Sequence, residues 1–380
     1  MKRGIQGVLI PIASGSEKVA AYFPNPLPPE LNFLEISKAL EAANHAIGEL
    51  NGIISGLPDS DIMNYMYVRK EAVLSSQIEG TQSTLDDLLG YEASPRTHFP
   101  VSDVVEVSSY VKALDYGLER LQSLPLSLRF LREVHQILLS GTRGSEKLPG
   151  EFRRSQNWIG GTRPGNAHFV PVSPDRLLEA LDSFEKYMVG DDALPELVKV
   201  ALLHYQFETI HAFLDGNGRI GRLFITLYLI EKGILKSPYL YVSLFFKKHR
   251  SLYYEKLDAV RFQGDWEDWI NFFLEGITDT TEDVRRTLLS IQQLFRKDSS
   301  AVQTLGRARL SAQLVLEQFM KKPILSITEL MKLTGYTRPT VITAVKRLIE
   351  LEILIPEKEK RGSQLYTYKN FVTAVSRTAY

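Results

Sequence analysis

Apolar residues recur every three to four positions through most of the chain. Between about residues 30 and 50 they fall at Leu31, Phe33, Leu34, Ile36, Leu40, Ala43, Ile47 and Leu50, the spacing of an amphipathic helix. A second helical run from about 61 to 79 stops at Gly80, a left-handed cap candidate. Ser83, with Asp86 three residues on, then opens another. The same periodicity predicts helices over about 102–122, 126–140, 173–188, 194–211, 219–232, 249–262, 266–296 and 308–321. Two stretches break the pattern. Residues 23–29, Phe-Pro-Asn-Pro-Leu-Pro-Pro, cannot be helical, because each proline removes a donor and biases its predecessor to extended geometry. Residues 156–172 are rich in Gly, Pro and Asn, with short apolar patches around a turn, which predicts a hairpin or flap. The chain shows no internal repeat. The fold class expected is mainly α, a helical core with a β-hairpin flap. The divisions expected are an N-terminal helical region over 1–100, a core over 101–297 and a small third domain over 298–380.

Composition narrows the chemistry. The 380 residues are 44% hydrophobic and 24% charged, an ordinary globular balance that excludes wholesale disorder. Cysteine is absent, which removes disulfides, thiolate-bound metals and a thiol nucleophile. No apolar run reaches the roughly 18 residues of a membrane-spanning helix, so no membrane partner and a cytoplasmic location are expected. Lys and Arg together number 45, as do Asp and Glu. The zero net charge hides an asymmetry: residues 301–380 carry 13 basic and 6 acidic side chains, a basic module on an acidic body.

The densest chemical signal is His211-Ala212-Phe213-Leu214-Asp215-Gly216-Asn217-Gly218-Arg219-Ile220-Gly221-Arg222. A helix ends near His211, glycines free the backbone to turn, and a new helix starts near Arg219. Unpaired N–H groups at a helix start, with the dipole, favour an anion. Gly216 and Gly218 allow a ligand to approach the backbone. Arg219 and Arg222, three apart, put two cationic forks on about one face. Asp215 is a hard oxygen ligand suited to magnesium shared with phosphates, and His211 can act as a general base. Residues 216–221 also match the dinucleotide fingerprint G-x-G-x-x-G. That fingerprint follows a strand, whereas Leu197 to His211 has helical spacing, and no acid follows at the required place. No Gly-Lys-Ser/Thr occurs, which excludes a Walker A loop. A mere glycine corner would leave the base, acid, amide and two arginines unexplained together.

This segment resembles the Fic family signature, H-x-F-x-[D/E]-G-N-G-R-x-x-R, at every defined position. The family usually has proline after the histidine, where this chain has Ala212. The proline-rich stretch from Tyr22 to Pro29, the flap around Trp158-Ile159-Gly160, and the segment from Tyr253-Tyr254 to Trp266 extend the likeness over roughly residues 20–280. The resemblance implies transfer of AMP from ATP to a Ser, Thr or Tyr hydroxyl of a target protein. It implies that His211 is the base and Asp215 the magnesium ligand. Asn217 and the amides around Gly216 and Gly218 would hold the α- and β-phosphates, and Arg219 and Arg222 the rest of the triphosphate. Ile159, Gly160, Gly161 and Thr162 would pin the target backbone as an added strand. Tyr253 and Tyr254 would lie near the nucleoside, or else simply pack.

Ser75-Ser76-Gln77-Ile78-Glu79-Gly80 resembles the Fic inhibitory motif [S/T]-x-x-x-E-[G/N]. An acid is disfavoured at a helix C-terminus, so Glu79 points to a specific cationic partner. The resemblance implies that this partner is Arg222 and that the pair blocks productive ATP binding. Whether Glu79 serves AMP addition or AMP removal stays open. In the basic tail, a Ser326/Glu329 capping box, a turn at Thr334-Gly335-Tyr336 and a helix from Thr337 to about 351 precede two short strands, at 354–355 and 364–368. The order resembles a winged helix-turn-helix domain. Thr337, Arg338, Thr340 and Thr343 would begin the recognition helix, and Lys358, Lys360 and Arg361 would tip the wing. Winged helices also serve protein contacts, so DNA is one of two partner classes. The contrasting reading of the whole chain is a DNA-binding regulator whose Fic core senses nucleotide. The oligomeric state stays open, with a homodimer one expectation.

Overall fold

The computed structural model describes residues 3–15, 17–55, 61–93, 101–357 and 364–376. The chain opens with an antiparallel hairpin, β1 (Gly7–Ser14) and β2 (Glu17–Pro24), in register from Gly7↔Pro24 to Ser14↔Glu17. The helical periodicity that dominates the sequence gave no strand here. The strands are rich in Val, Ile, Tyr and Phe, types that suit a half-buried pleated surface. Pro11 is tolerated because a two-stranded sheet has only edges.

Among the described residues, eleven α-helices follow: α1 (Phe33–Ser55), α2 (Asp61–Ile78), α3 (Leu85–Ala93), α4 (Val101–Arg120), α5 (Leu128–Leu139), α6 (Leu177–Val189), α7 (Glu196–Ile210), α8 (Asn217–Glu231), α9 (Ser243–Lys248), α10 (Arg250–Gln263) and α11 (Trp266–Val302). The centre is the pair α7 and α8. Every residue of α7 from Leu197 to Ile210 is buried, and α8 is buried nearly all round. A helix with no polar face must lie inside other elements. Trp269 of α11 packs here, fully buried, and donates its indole N–H to the Ala201 carbonyl at 3.0 Å. Among the described residues no helix is long and apolar enough to cross a membrane.

Several local expectations shift. The α3 start is capped by Thr84 and Asp87, not by Ser83 and Asp86. Thr84 N–H donates to Asp87 at 2.9 Å, and Asp87 N–H to the Thr84 hydroxyl at 3.2 Å. The flap at 156–172 is a loop closed by one bridge, Ile159↔Phe169, rather than a laddered hairpin. Helix α11 runs to Val302, six residues past the expected end. It carries the C-terminal module: α12 (Arg309–Lys321), β3 (Ile324–Ser326), α13 (Ile327–Thr334), α14 (Arg338–Glu350), β4 (Ile355–Pro356), β5 (Leu365–Thr367) and α15 (Lys369–Ser376). Its sheet has three strands in the order β3-β5-β4, one more than the periodicity predicts. The Ser326/Glu329 capping box forms. Lys358, Lys360 and Arg361 lie outside the described residues. The module is seated on α11 by Tyr368, whose hydroxyl donates to Asp298 at 2.6 Å, and by Phe295 against the Phe371 ring at 5.2 Å.

Trp269→Ala should remove the contact that joins α11 to α7. A loss of about 3–5 kcal/mol is expected, read as a lower urea midpoint with an unchanged m-value.

Candidate active site

Between α7 and α8 the chain turns in six residues, and nearly every turn of it is held. His211 continues one helical bond, N–H to the Phe207 carbonyl at 3.0 Å, and then leaves the helix at φ 51°, ψ 60°. That left-handed conformation is uncommon outside glycine and must be held by its surroundings. The His211 carbonyl accepts from Arg153 Nε at 2.9 Å and from Asn157 Nδ2 at 3.2 Å. Phe213 stacks on the His135 ring at 3.7 Å. Asn217 uses both ends of its buried amide on the Phe213 backbone, accepting from N–H and donating to C=O, each at 2.8 Å. Its side chain therefore fixes the turn, and what it offers a ligand is its backbone. His135 accepts from the Gly150 N–H at Nδ1, 2.9 Å, so Nε2 carries the proton and donates to the Asp215 carbonyl at 3.0 Å. Gly216, at φ 77°, caps α8.

The His211 imidazole sits with Nδ1 3.3 Å from the Glu208 carbonyl. A carbonyl only accepts, so Nδ1 holds the proton and Nε2 keeps a free lone pair. Burial pushes this imidazole down to about 4, with the charges of Arg153 and Arg261 adding to the effect and the Glu208 carbonyl and Glu79 opposing it. It is neutral at physiological pH.

The other end of the turn is the N-terminus of α8, and a carboxylate already lies against it. A Cβ on Gly218 would stand 2.4 Å from Glu79 Oε1 and 2.9 Å from Arg222 Nη1, so only glycine leaves room for this contact. Glu79 Oε1 accepts from Arg222 Nη2 at 2.7 Å. Ser75, one turn earlier on α2, takes the rest of that guanidinium, through its hydroxyl at 2.9 Å and its carbonyl at 3.0 Å. Positions i and i+4 of a helix share a face, which explains why the serine and the glutamate act on one arginine. Burial works to raise the Glu79 carboxyl, and Arg222, with Arg219, holds it below its ordinary value.

The two arginines do not form a joint fork. Both are almost wholly buried. Arg219 turns to α4, donating to Glu106 at 2.6 Å and reaching Asp215 at 3.4 Å, whereas Arg222 turns to α2. Tyr253 takes the second of its two expected places, packing. It is 1% exposed, stacks on Phe246 at 4.6 Å and bonds His204 Nε2 at 2.9 Å. The tyrosine is the donor, because His204 Nδ1–H is used on the Gly221 carbonyl at 3.1 Å. Tyr253 thus packs the core, while Tyr254 remains 39% exposed. On the flap, Ile159 is tied to Phe169, and Gly160, Gly161 and Thr162 are exposed. The hairpin β1–β2 buttresses it: Tyr22 N–H donates to Val170 at 2.9 Å, and Glu17 holds Gly165 N–H at 2.8 Å and the Arg163 guanidinium.

Four functional positions carry no local sequence signal: Arg153, Asn157, His135 and Glu208. Each acts through a partner folded onto it or through burial. Glu208 lies beneath Gly221, where a Cβ would meet its Oε1 at 2.3 Å. Burial pushes its carboxyl up to about 7, Arg222 opposing and Glu79 adding. Among the described residues no group of three or more His, Asp or Glu could hold a metal ion. Asp215, partly exposed, fits the single-carboxylate share that magnesium takes when phosphates supply its other ligands.

Two family models match the chain: Fic/DOC family N-terminal over residues 37–119, and Fic/DOC family over residues 125–229. A protein adenylyltransferase Fic of Drosophila grimshawi is 30% identical over 195 residues, 51% of this chain and 36% of that protein. One from Aedes aegypti is 33% identical over 159 residues, 41% and 28% respectively. The chain spans about a third of the length of these curated relatives. A crystal structure of a Fic family protein from Desulfovibrio desulfuricans G20 superposes with a TM-score of 0.57 at 21% identity, over 90% of this chain and 98% of that one. Fic-1 (aa134–508) from C. elegans gives 0.52 at 18% identity, over 67% and 74%. These two likenesses show the fold.

Glu208 sets a pH dependence. A carboxyl whose folded pKa is raised costs nothing well below its ordinary 4.5, where both states are protonated, and its full penalty appears above about 7. Glu208→Gln should therefore stabilise the protein at pH 8 by about 1–3 kcal/mol and give no such gain at pH 4, measured by urea denaturation at both.

Proposed function

The chain belongs to the Fic/DOC family through residues 37–119 and 125–229, and on that premise we propose that it is a protein adenylyltransferase restrained by its own Glu79. The observation that carries this reading is the six-residue turn itself. It has a neutral imidazole with a bare Nε2 at one end and a helix N-terminus gripped by a displaceable carboxylate at the other. His211 takes the proton of a target hydroxyl at Nε2 while the hydroxyl oxygen bonds to the α-phosphorus of ATP and pyrophosphate leaves. The amides at the start of α8 receive phosphate oxygens, and the helix dipole stabilises their charge. Asp215 would hold magnesium, which supplies charge neutralisation on the phosphates. Residues Ile159 to Thr162 carry the target backbone as an added strand.

Restraint follows from electrostatics. Arg222 is claimed by Glu79 and Ser75, and the Glu79 carboxylate occupies the place where an anionic phosphate would meet α8. Two anions repel there, so nucleotide binds productively only when Glu79 withdraws. The C-terminal module supports a companion reading as a winged helix-turn-helix, since Arg338 and Thr343 are exposed at the start of α14.

Glu79→Gly should raise transfer of label from α-labelled ATP to lysate protein about ten- to a hundredfold, the value of one charge-assisted hydrogen bond. His211→Ala in that variant should lower it about 10²–10⁴-fold, and an unchanged rate would remove His211 as the base. For the module, a DNA duplex should shift in a gel at low salt and be released as salt rises, and Arg338→Ala should weaken it. Absence of any shift at low salt would leave a protein-contact role.

A further inference from the structure

Arg153 is 2% exposed, and among the described residues it pairs with no carboxylate. Buried guanidinium groups normally have a counter-charge, because an isolated ion in the interior is costly. Here the fork is surrounded by main-chain oxygens instead. Nε donates to the His211 carbonyl at 2.9 Å, Nη1 to Ser155 at 3.4 Å, and Nη2 to Val172 and, at 3.5 Å, to Ile210. The Arg153 backbone N–H adds a bond to the Ala212 carbonyl at 3.0 Å. These oxygens come from three places: Ser155 on the leg that enters the flap, Val172 on the leg that leaves it, and Ile210 to Ala212 in the turn that carries the base.

We propose that Arg153 is the positioning residue for His211, a single planar fork that keeps both legs of the flap and the backbone of the base in one register. The inference rests on the adenylyltransferase reading above and deepens it. The flap presents the acceptor hydroxyl and His211 receives its proton, so their relative placement determines whether an in-line attack geometry forms. Nothing in the local sequence fixes that placement. His211 is in a left-handed conformation, and the next residue is Ala212, which lacks the fixed φ of the proline usual in the signature. Arg153 meets both residues, and Asn157 supports it on the same carbonyl. A lysine could match the charge but not the fork, because one ammonium cannot span carbonyls on three segments. The charge has its own effect: with Arg261 of α10, Arg153 disfavours the imidazolium, against the opposing Glu79 just past α2 and the Glu208 carbonyl of α7.

The test uses the full chain carrying Glu79→Gly, with Arg153→Lys and Arg153→Met added separately. Label transfer from α-labelled ATP at saturating nucleotide should fall about a hundredfold in both, as expected for a misplaced reacting group. The KM for ATP should stay within about twofold, since Arg153 is placed on the base and not on the nucleotide. Chains labelled with ¹⁵N-histidine then separate position from charge. Without nucleotide, the His211 imidazole should titrate at higher pH in Arg153→Met, because a cation beside it has gone, and near its original pH in Arg153→Lys. Unchanged transfer rates in both variants, or a Met variant whose His211 titrates as in the parent, would overturn the proposal. If Arg153→Met unfolds below the assay temperature, Arg153→Lys carries the rate test alone. If the Glu79→Gly chain transfers no label at all, the enzymatic reading fails, and the imidazole titration still decides whether Arg153 acts on His211.

Discussion

A guanidinium that is 1% exposed is costly to bury without compensating partners, and Arg222, at the heart of this molecule, meets that cost with a carboxylate. Its helix, α8, supplies no acid for it. The charge arrives from Glu79, just past the end of α2 and 143 residues earlier in the chain. That single requirement draws the end of α2 onto the start of α8 and sets the distance between the N-terminal region and the core. The same carboxylate that satisfies the core also lies against the N-terminal end of α8. On the function proposed above, structural stability and restraint of the site would be one interaction, and loosening either would loosen the other.

The rest of the site is rigid by comparison. The turn from His211 to Gly216 is held by side chains that are themselves buried and fully directed: Asn217 from within, Arg153 and Asn157 from the flap side, His135 from α5. Chemistry at a phosphorus atom depends on placement and charge more than on covalent help, so a stiff turn would suit the proposed transfer. His135 and His211 are kept neutral by burial, which leaves hydrogen bonding rather than charge as their contribution at physiological pH.

Much of this was legible beforehand. The helical periodicity located most of the helices to within about six residues, because each buries one stripe or its whole surface, but it missed the short α9 and α15, which are too brief for the spacing to repeat. The twelve residues from His211 to Arg222 announced a helix, a turn and a new helix through local chemistry alone. What stayed hidden depends on distant partners. Arg153 looked like one more basic residue until 58 positions of chain folded back to His211. Tyr253 and Tyr254 are adjacent and identical in sequence, yet one is buried in an aromatic stack and the other half-open, a difference set by helix rotation. The hairpin β1–β2 escaped because its apolar residues run consecutively, Val8-Leu9-Ile10 and Val19 to Phe23, and do not alternate.

Helix α11 is 37 residues long and unbroken, which at 1.5 Å per residue is a rod of about 55 Å. One end is locked by Trp269 in the core and the other by Asp298 and Phe295 under the C-terminal module. A rod of this kind transmits torque as well as distance, since adding or deleting one residue turns everything beyond it by about 100°. The azimuth at which the module faces outward is thus written into the helix length. A relative that kept both ends but changed the spacing by two residues would aim the same surface at a different neighbour.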